Sequence, residues 1–302
     1  MTSRIGRTRL WNGVLPDTPF RGVWASSAGI ALLMVVAAAG GLWADGLYRD
    51  PEPFAAALRG YDLVTLVVAA PLLVGALLAA RHGSAGAQLV WLGMLAYAVY
   101  DYAIYVFGAA FNAFFLIHVA LFTGSIVTLG LAGARLDVHG VAARFSPRTP
   151  VRWIAGFLLL IAVGLGGMWI AGALRFAFTG AFPGESLMVL PPAAVHLAYA
   201  LDLSLLVPAY VLAGILLWRR SAWGYVSASA LLTFSTVYQL NYLAGLRFQT
   251  WAHIPGAVSI DYQELPIVGL FALATVVMLG GLRGWGRPSG GEIGTDGPRG
   301  GR

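Results

Sequence analysis

Cysteine and lysine are both missing from these 302 residues, and charge of either sign is scarce, with charged residues at 11%. Without cysteine the chain has no disulfides, thiolate metal ligands or cysteine nucleophile. All 19 basic residues are arginine, a bias that a GC-rich genome explains and that carries no mechanism. Catalytic motifs are missing as well: there is no HExxH, no GxSxG, no GxxxxGK[ST] and no GxGxxG after a strand. What fills the chain is apolar, with 59% hydrophobic residues and a mean hydropathy of +0.76, far from the balance of soluble domains. The formal charge of +6 does not point to nucleic acid, because the arginines are scattered between apolar runs.

Runs of about 20 apolar residues lie near 24–43, 62–80, 87–107, 110–132, 151–173, 193–218, 222–245 and 264–282. The first is too long and starts too late for a signal-peptide core, despite the small residues Ala37-Ala38-Ala39, so it is expected to remain as a span. Short cytoplasmic connections hold an excess of arginine. With the N-terminus inside, Arg4, Arg7, Arg9, Arg21, Arg81, Arg135, Arg144, Arg148, Arg152, Arg219, Arg220, Arg283, Arg287, Arg299 and Arg302 are cytoplasmic, and only Arg49, Arg59, Arg175 and Arg247 are outside. The expected fold is therefore an all-α polytopic bundle of about eight spans, N-in and C-in, in a bacterial inner membrane with lipid as its surround.

The expected organisation is a cytoplasmic lead-in at 1–23, four spans within 24–132, an Arg-rich and Pro-containing cytoplasmic segment at 133–150 that reads as a plain linker or as a hinge, four spans within 151–282, and a Gly-rich disordered tail at 283–302. The second group contains an echo. Leu174-Arg175-Phe176, six residues and Pro183-Gly184 return 72 residues later as Leu246-Arg247-Phe248, six residues and Pro255-Gly256. Arg175 and Arg247 are thereby expected at equal depth on the outer rim, where their planar guanidinium groups suit an anionic ligand or neutralise Glu185, Asp261 or Glu264.

An ionisable group inside a bilayer is costly unless it faces protein or water, so the intramembrane polar residues mark the candidate site. Tyr97, Asp101 and Tyr105 follow i, i+4, i+8 and share one helix face. Asp62 is expected to open the second span at the outer surface. Asn112 and His118 belong to the outer half of the fourth span, His196, Tyr199 and Asp202 to the sixth, and Tyr238, Asn241 and Tyr242 to the seventh. Pro208 is placed to kink the sixth. Their shared depth predicts a polar cavity open to the outer face. His118 and His196, on different spans, are the pair able to ligate a b-type haem or a metal. Tyr100, Tyr102, Trp169, Trp223 and Trp251 read as interfacial aromatics.

The segments YDLVTLVVAAPLL (61–73) and YVFGAAFNAFFLIHVALF (105–122) resemble those of bacterial multi-pass membrane protein families with no assigned activity. The resemblance implies a membrane bundle and brings no residue role. Three functions fit the sequence: a binder or carrier of a small anionic or polar ligand, a redox protein holding haem or quinone near the two histidines, and an assembly protein whose polar groups only fix helix packing.

Overall fold

A computed structural model describes residues 21–183 and 187–283. The expectations for the first arginines, for Gly184 and Glu185, and for the tail beyond residue 283 fall outside the described residues. Within them the chain is all-helical, with no strand. The long helices are α1 (Arg21–Trp43), α2 (Glu52–Arg81), α3 (Ala85–Phe107), α4 (Phe115–Ala134), α6 (Val151–Thr179), α7 (Pro192–Trp218), α8 (Ala222–Trp251) and α9 (Glu264–Gly280), with a short α5 (Val138–Ala143) between α4 and α6. Each expected apolar run is helical. Six of these helices, α1 to α4 with α6 and α7, are long and apolar enough to cross a membrane, so the chain is built as an integral membrane protein. α8 has the length but carries many polar side chains, and α9 has 17 residues.

Three boundaries differ from the sequence reading, each for a local reason. α2 begins at Glu52 rather than near residue 62, because Pro51 and Pro53 preset the first turn and Glu52 faces its free N–H groups. Asp62 therefore lies inside the helix, 3% exposed, and does not open it at the surface; Arg59, expected in a connection, is one turn before it. α4 begins at Phe115 rather than near 110, so Asn112 precedes the helix. Its side chain accepts the Phe114 N–H at 2.9 Å and donates to the Ala110 carbonyl at 3.2 Å, which closes a local turn before α4. α6 and α8 continue past Arg175 and Arg247, each ending four residues later, at Thr179 and Trp251, and each is followed by a helix that starts 17 residues after its arginine. The echo thus has a counterpart in helix spacing.

α3 and α8 form the centre. α8 packs along α2, α3, the second half of α7 and α9, while α3 also packs along α4. Small residues allow the closest approaches. A Cβ on Gly60 of α2 would lie 2.7 Å from the backbone of Ala244 and Gly245 on α8, and one on Gly93 of α3 would lie 2.7 Å from the Ala230 carbonyl. The 133–150 linker is docked rather than loose: α5 packs on α8, Phe145 stacks on Tyr225, and the Ser146 N–H donates to the Gly281 carbonyl at 2.8 Å.

Both α2 and α7 are interrupted by a π turn, Thr65–Ala69 and Asp202–Leu206. In each the first carbonyl accepts an N–H five residues on, from Ala70 or Val207, and a proline follows at once, Pro71 or Pro208. Proline lacks the N–H that the carbonyl four residues back needs, and its ring crowds that carbonyl. The wider turn relieves the clash.

Candidate functional site

The face of α3 foreseen from its spacing lies against α2. Tyr97, Asp101 and Tyr105 are at most 2% exposed and meet Leu58, Asp62 and Thr65, which also recur at helical intervals. The Tyr105 hydroxyl lies 3.0 Å from Oδ1 of Asp62 and 3.2 Å from the Leu58 carbonyl. Tyr48, from the connection between α1 and α2, donates to Oδ2 of Asp62 at 2.5 Å. Burial first, and then the adjacent Asp62 carboxylate, hold the Tyr48 hydroxyl well above its ordinary range. Further along, Thr65 and Tyr97 share a hydrogen bond of 2.9 Å, and Tyr97 donates to Oδ1 of Asn241 on α8 at 3.2 Å. Asn241 donates in turn from Nδ2 to Oδ1 of Asp101 at 2.8 Å. Oδ2 of Asp101 is enclosed without a partner.

His118 of α4 closes this seam from the side. It is 1% exposed, with its ring 6.0 Å from Tyr102 and 4.9 Å from Tyr105, and its Nδ1 is enclosed without a partner. His196 stands exposed near the start of α7. One ring is thus packed in the core and the other lies on the surface. No group of three or more His, Asp or Glu among the described residues is placed to hold a metal ion.

A second polar centre surrounds Asp202, 9% exposed, at the first residue of the π turn in α7. Tyr100 of α3 donates to its Oδ1, and Trp169 of α6 donates from Nε1 to its Oδ2 at 2.8 Å. Tyr199 packs on Trp169 with ring centres 4.2 Å apart, and Tyr238 meets Tyr100 edge-on at 4.8 Å. Tyr100 and Tyr102 are buried in the core, while Trp169 is half-buried with its N–H turned to Asp202. Trp223 and Trp251 are half-exposed at helix ends, as the interfacial reading expects.

At the rim, Arg175 and Arg247 are exposed near the ends of their helices, and Arg247 lies over the Trp251 ring at 5.0 Å. The acids expected to neutralise them have other hydrogen-bond donors: Tyr242 donates to Asp261 at 3.0 Å, and Gln239 donates to Glu264. Gln249 was missed by the sequence reading. Its amide accepts the Val189 N–H at 3.0 Å and donates to the carbonyls of Val189 and Pro53 at 2.7 and 2.8 Å, pinning the connection before α7 onto α2.

Fold and seam together define a helical integral membrane protein with unpaired carboxylate chemistry in its interior. No family model matches the chain, and no curated protein or solved structure matches it significantly.

Proposed function

We propose that the chain crosses a bacterial plasma membrane eight times with both ends cytoplasmic, and that it binds or carries a small polar ligand at Asp101. The eight helices and the arginine distribution support the topology; reporter fusions within 249–260 and after residue 284 test it, and a tail found outside sinks it.

One observation carries the ligand reading. Oδ2 of Asp101 is wholly enclosed and accepts nothing, although an enclosed acceptor left unmade costs about 1–3 kcal/mol. A ligand amine, amide or hydroxyl supplies the missing donor. The rim arginines, exposed near the ends of α6 and α8, serve as outer contacts. A thermal-shift screen of small amines, amides and polyols on the detergent-purified protein tests this, because specific stabilisation follows binding to the native state. A stabilising compound should lose about tenfold or more in affinity with Asp101→Asn. Equal stabilisation of both proteins by every active compound refutes the assignment.

A further inference from the structure

The Tyr105 hydroxyl has one hydrogen and two acceptors within reach, Oδ1 of Asp62 at 3.0 Å and the Leu58 carbonyl at 3.2 Å. It can donate to only one of them at a time. Which one it chooses depends on the charge of Asp62, because an ionised carboxylate is a much stronger acceptor than a peptide carbonyl, and a neutral carboxyl is not. The other oxygen of Asp62 is held at 2.5 Å by Tyr48, whose connection also carries the exposed residues Asp45, Gly46 and Arg49. Tyr48 is itself buried, 8% exposed, and stands between Asp62 and those exposed residues.

Among the groups around Asp62 the one cation that acts on it is Arg59, and no hydrogen bond joins the two. α1 meets it with Gly41, where a side chain would collide with Oδ2 and with the Tyr48 hydroxyl. α3 presents Tyr105, and Asp101 one turn away on the same face; α4 contributes His118 behind the Tyr105 ring. α8 crosses α2 here through the backbone of Ala244 and Gly245, and its nearest polar group in the seam is the neutral amide of Asn241. Arg59 sits on α2 itself, half-buried, and no hydrogen bond from it reaches the carboxylate.

We propose that Asp62 is a proton-uptake site served by Tyr48, and that its protonation switches the Tyr105 hydrogen from Asp62 to the Leu58 carbonyl. A hydronium at the Tyr48 end gives its proton to the Tyr48 oxygen while the hydrogen already there passes to Oδ2. The net change is carboxylate plus hydronium to carboxylic acid plus water, and the tyrosine is regenerated. Oδ1 then loses its hold on Tyr105, and the bond that fastens α3 to α2 moves one turn along α2, from Asp62 to Leu58. Asp101 lies one turn along α3 from that bond, so the state of Asp62 is transmitted to the unpartnered Oδ2 of Asp101. The proton site rests on its own hydrogen bonds and stands whether or not Asp101 takes a ligand.

Infrared difference spectra of the full chain in lipid nanodiscs, recorded between about pH 4 and about pH 9, read the carbonyl band of a protonated carboxyl directly. The expected result is a band that appears and disappears reversibly with pH, is lost in Asp62→Asn and persists in Asp101→Asn and Asp202→Asn. Tyr105→Phe, which leaves the carboxyl in place and removes one of its two donors, should move the midpoint by on the order of one pH unit, tenfold in proton affinity. No pH-responsive carboxyl band, or one that survives Asp62→Asn, overturns the proposal. If Asp62→Asn does not fold, an unmoved midpoint in Tyr105→Phe overturns it instead. A failed ligand screen leaves the band intact, so the two readings fail separately.

Discussion

α2 and α7 use the same backbone device and pack it in opposite ways. Each carries a π turn that starts six residues before a proline, with an aspartate at or just before the turn. In α2 both halves are gripped, the first by α8 and the second by α3, and Asp62 is sealed between two tyrosines. In α7 only the half after the turn is gripped, by α6 and α8; the half before it touches α3 lightly, and Tyr199 and His196 stand partly or fully exposed. Both aspartates are buried, so a π turn fixes where a helix bends but not how firmly its two halves are held. The neighbours decide that.

The largest effect should come from breaking the grip on α2. Gly60→Ala puts a methyl group about where the α8 backbone already lies, 2.7 Å away, and neither backbone can step aside without moving its helix. The expected cost is about 3 kcal/mol or more. Ala200→Val on the exposed side of the loose half of α7 should change stability by less than about 0.5 kcal/mol. Thermal melts in detergent compare them. Similar melting of both variants would falsify the contrast between a gripped and an ungripped half-helix.

How far that contrast could be read from the sequence depends on what sets each feature. The apolar runs were legible because hydropathy over about 20 residues is a strong local signal, and the Tyr97, Asp101, Tyr105 face was legible because helical periodicity alone sets it. The partners were not. Thr65 meets Tyr97, and Tyr48 meets Asp62, only once α2 has a depth and register against α3, and those are set by close crossings such as Gly60 on Gly245. Nor was the partner of Trp169, whose N–H reaches Asp202 only because α7 packs beside α6. Pro71 carried the same signal as Pro208, a proline within an apolar run, and was overlooked because no polar residue stands as close to it.

A middle-sized effect sharpens the comparison at the two carboxylates. Tyr48→Phe removes a 2.5 Å donor from a sealed group, and Trp169→Phe removes a 2.8 Å donor from a group with a half-buried surround. Losing a hydrogen bond to an enclosed charged group costs about 2 kcal/mol, and water or a neighbouring polar group partly replaces it where the site is open. Tyr48→Phe should therefore lower the melting temperature more than Trp169→Phe, by a margin of about 1 kcal/mol. The reverse order would mean that the surround of Asp202 is the tighter one.

The smallest effect lies at the rim above Asp62. Asp50 precedes α2, and its Oδ1 accepts the Ala110 N–H at 2.7 Å, tying the connection before α2 to the one before α4, while Oδ2 is enclosed without a partner. Burial pushes the Asp50 carboxyl up from its ordinary range, and the Ala110 hydrogen bond pulls part of the way back. The folded protein therefore keeps a proton on Asp50 over a pH window in which the unfolded chain has released it. Stability from this group is full below the ordinary carboxylate range and is lost as pH rises through the window, because there the folded state binds more protons. Asp50→Asn keeps an oxygen for Ala110 but does not titrate, so the difference in melting temperature between the native protein and the variant isolates this group from Asp62 and Asp101. The native protein should lose ground to Asp50→Asn as pH is raised from about 4, by an amount kept small because solvent reaches part of the side chain. Parallel melting curves across that range would show that the tie between the two connections does not depend on a proton, and that the seal over the Tyr48 end of α2 is made by packing alone.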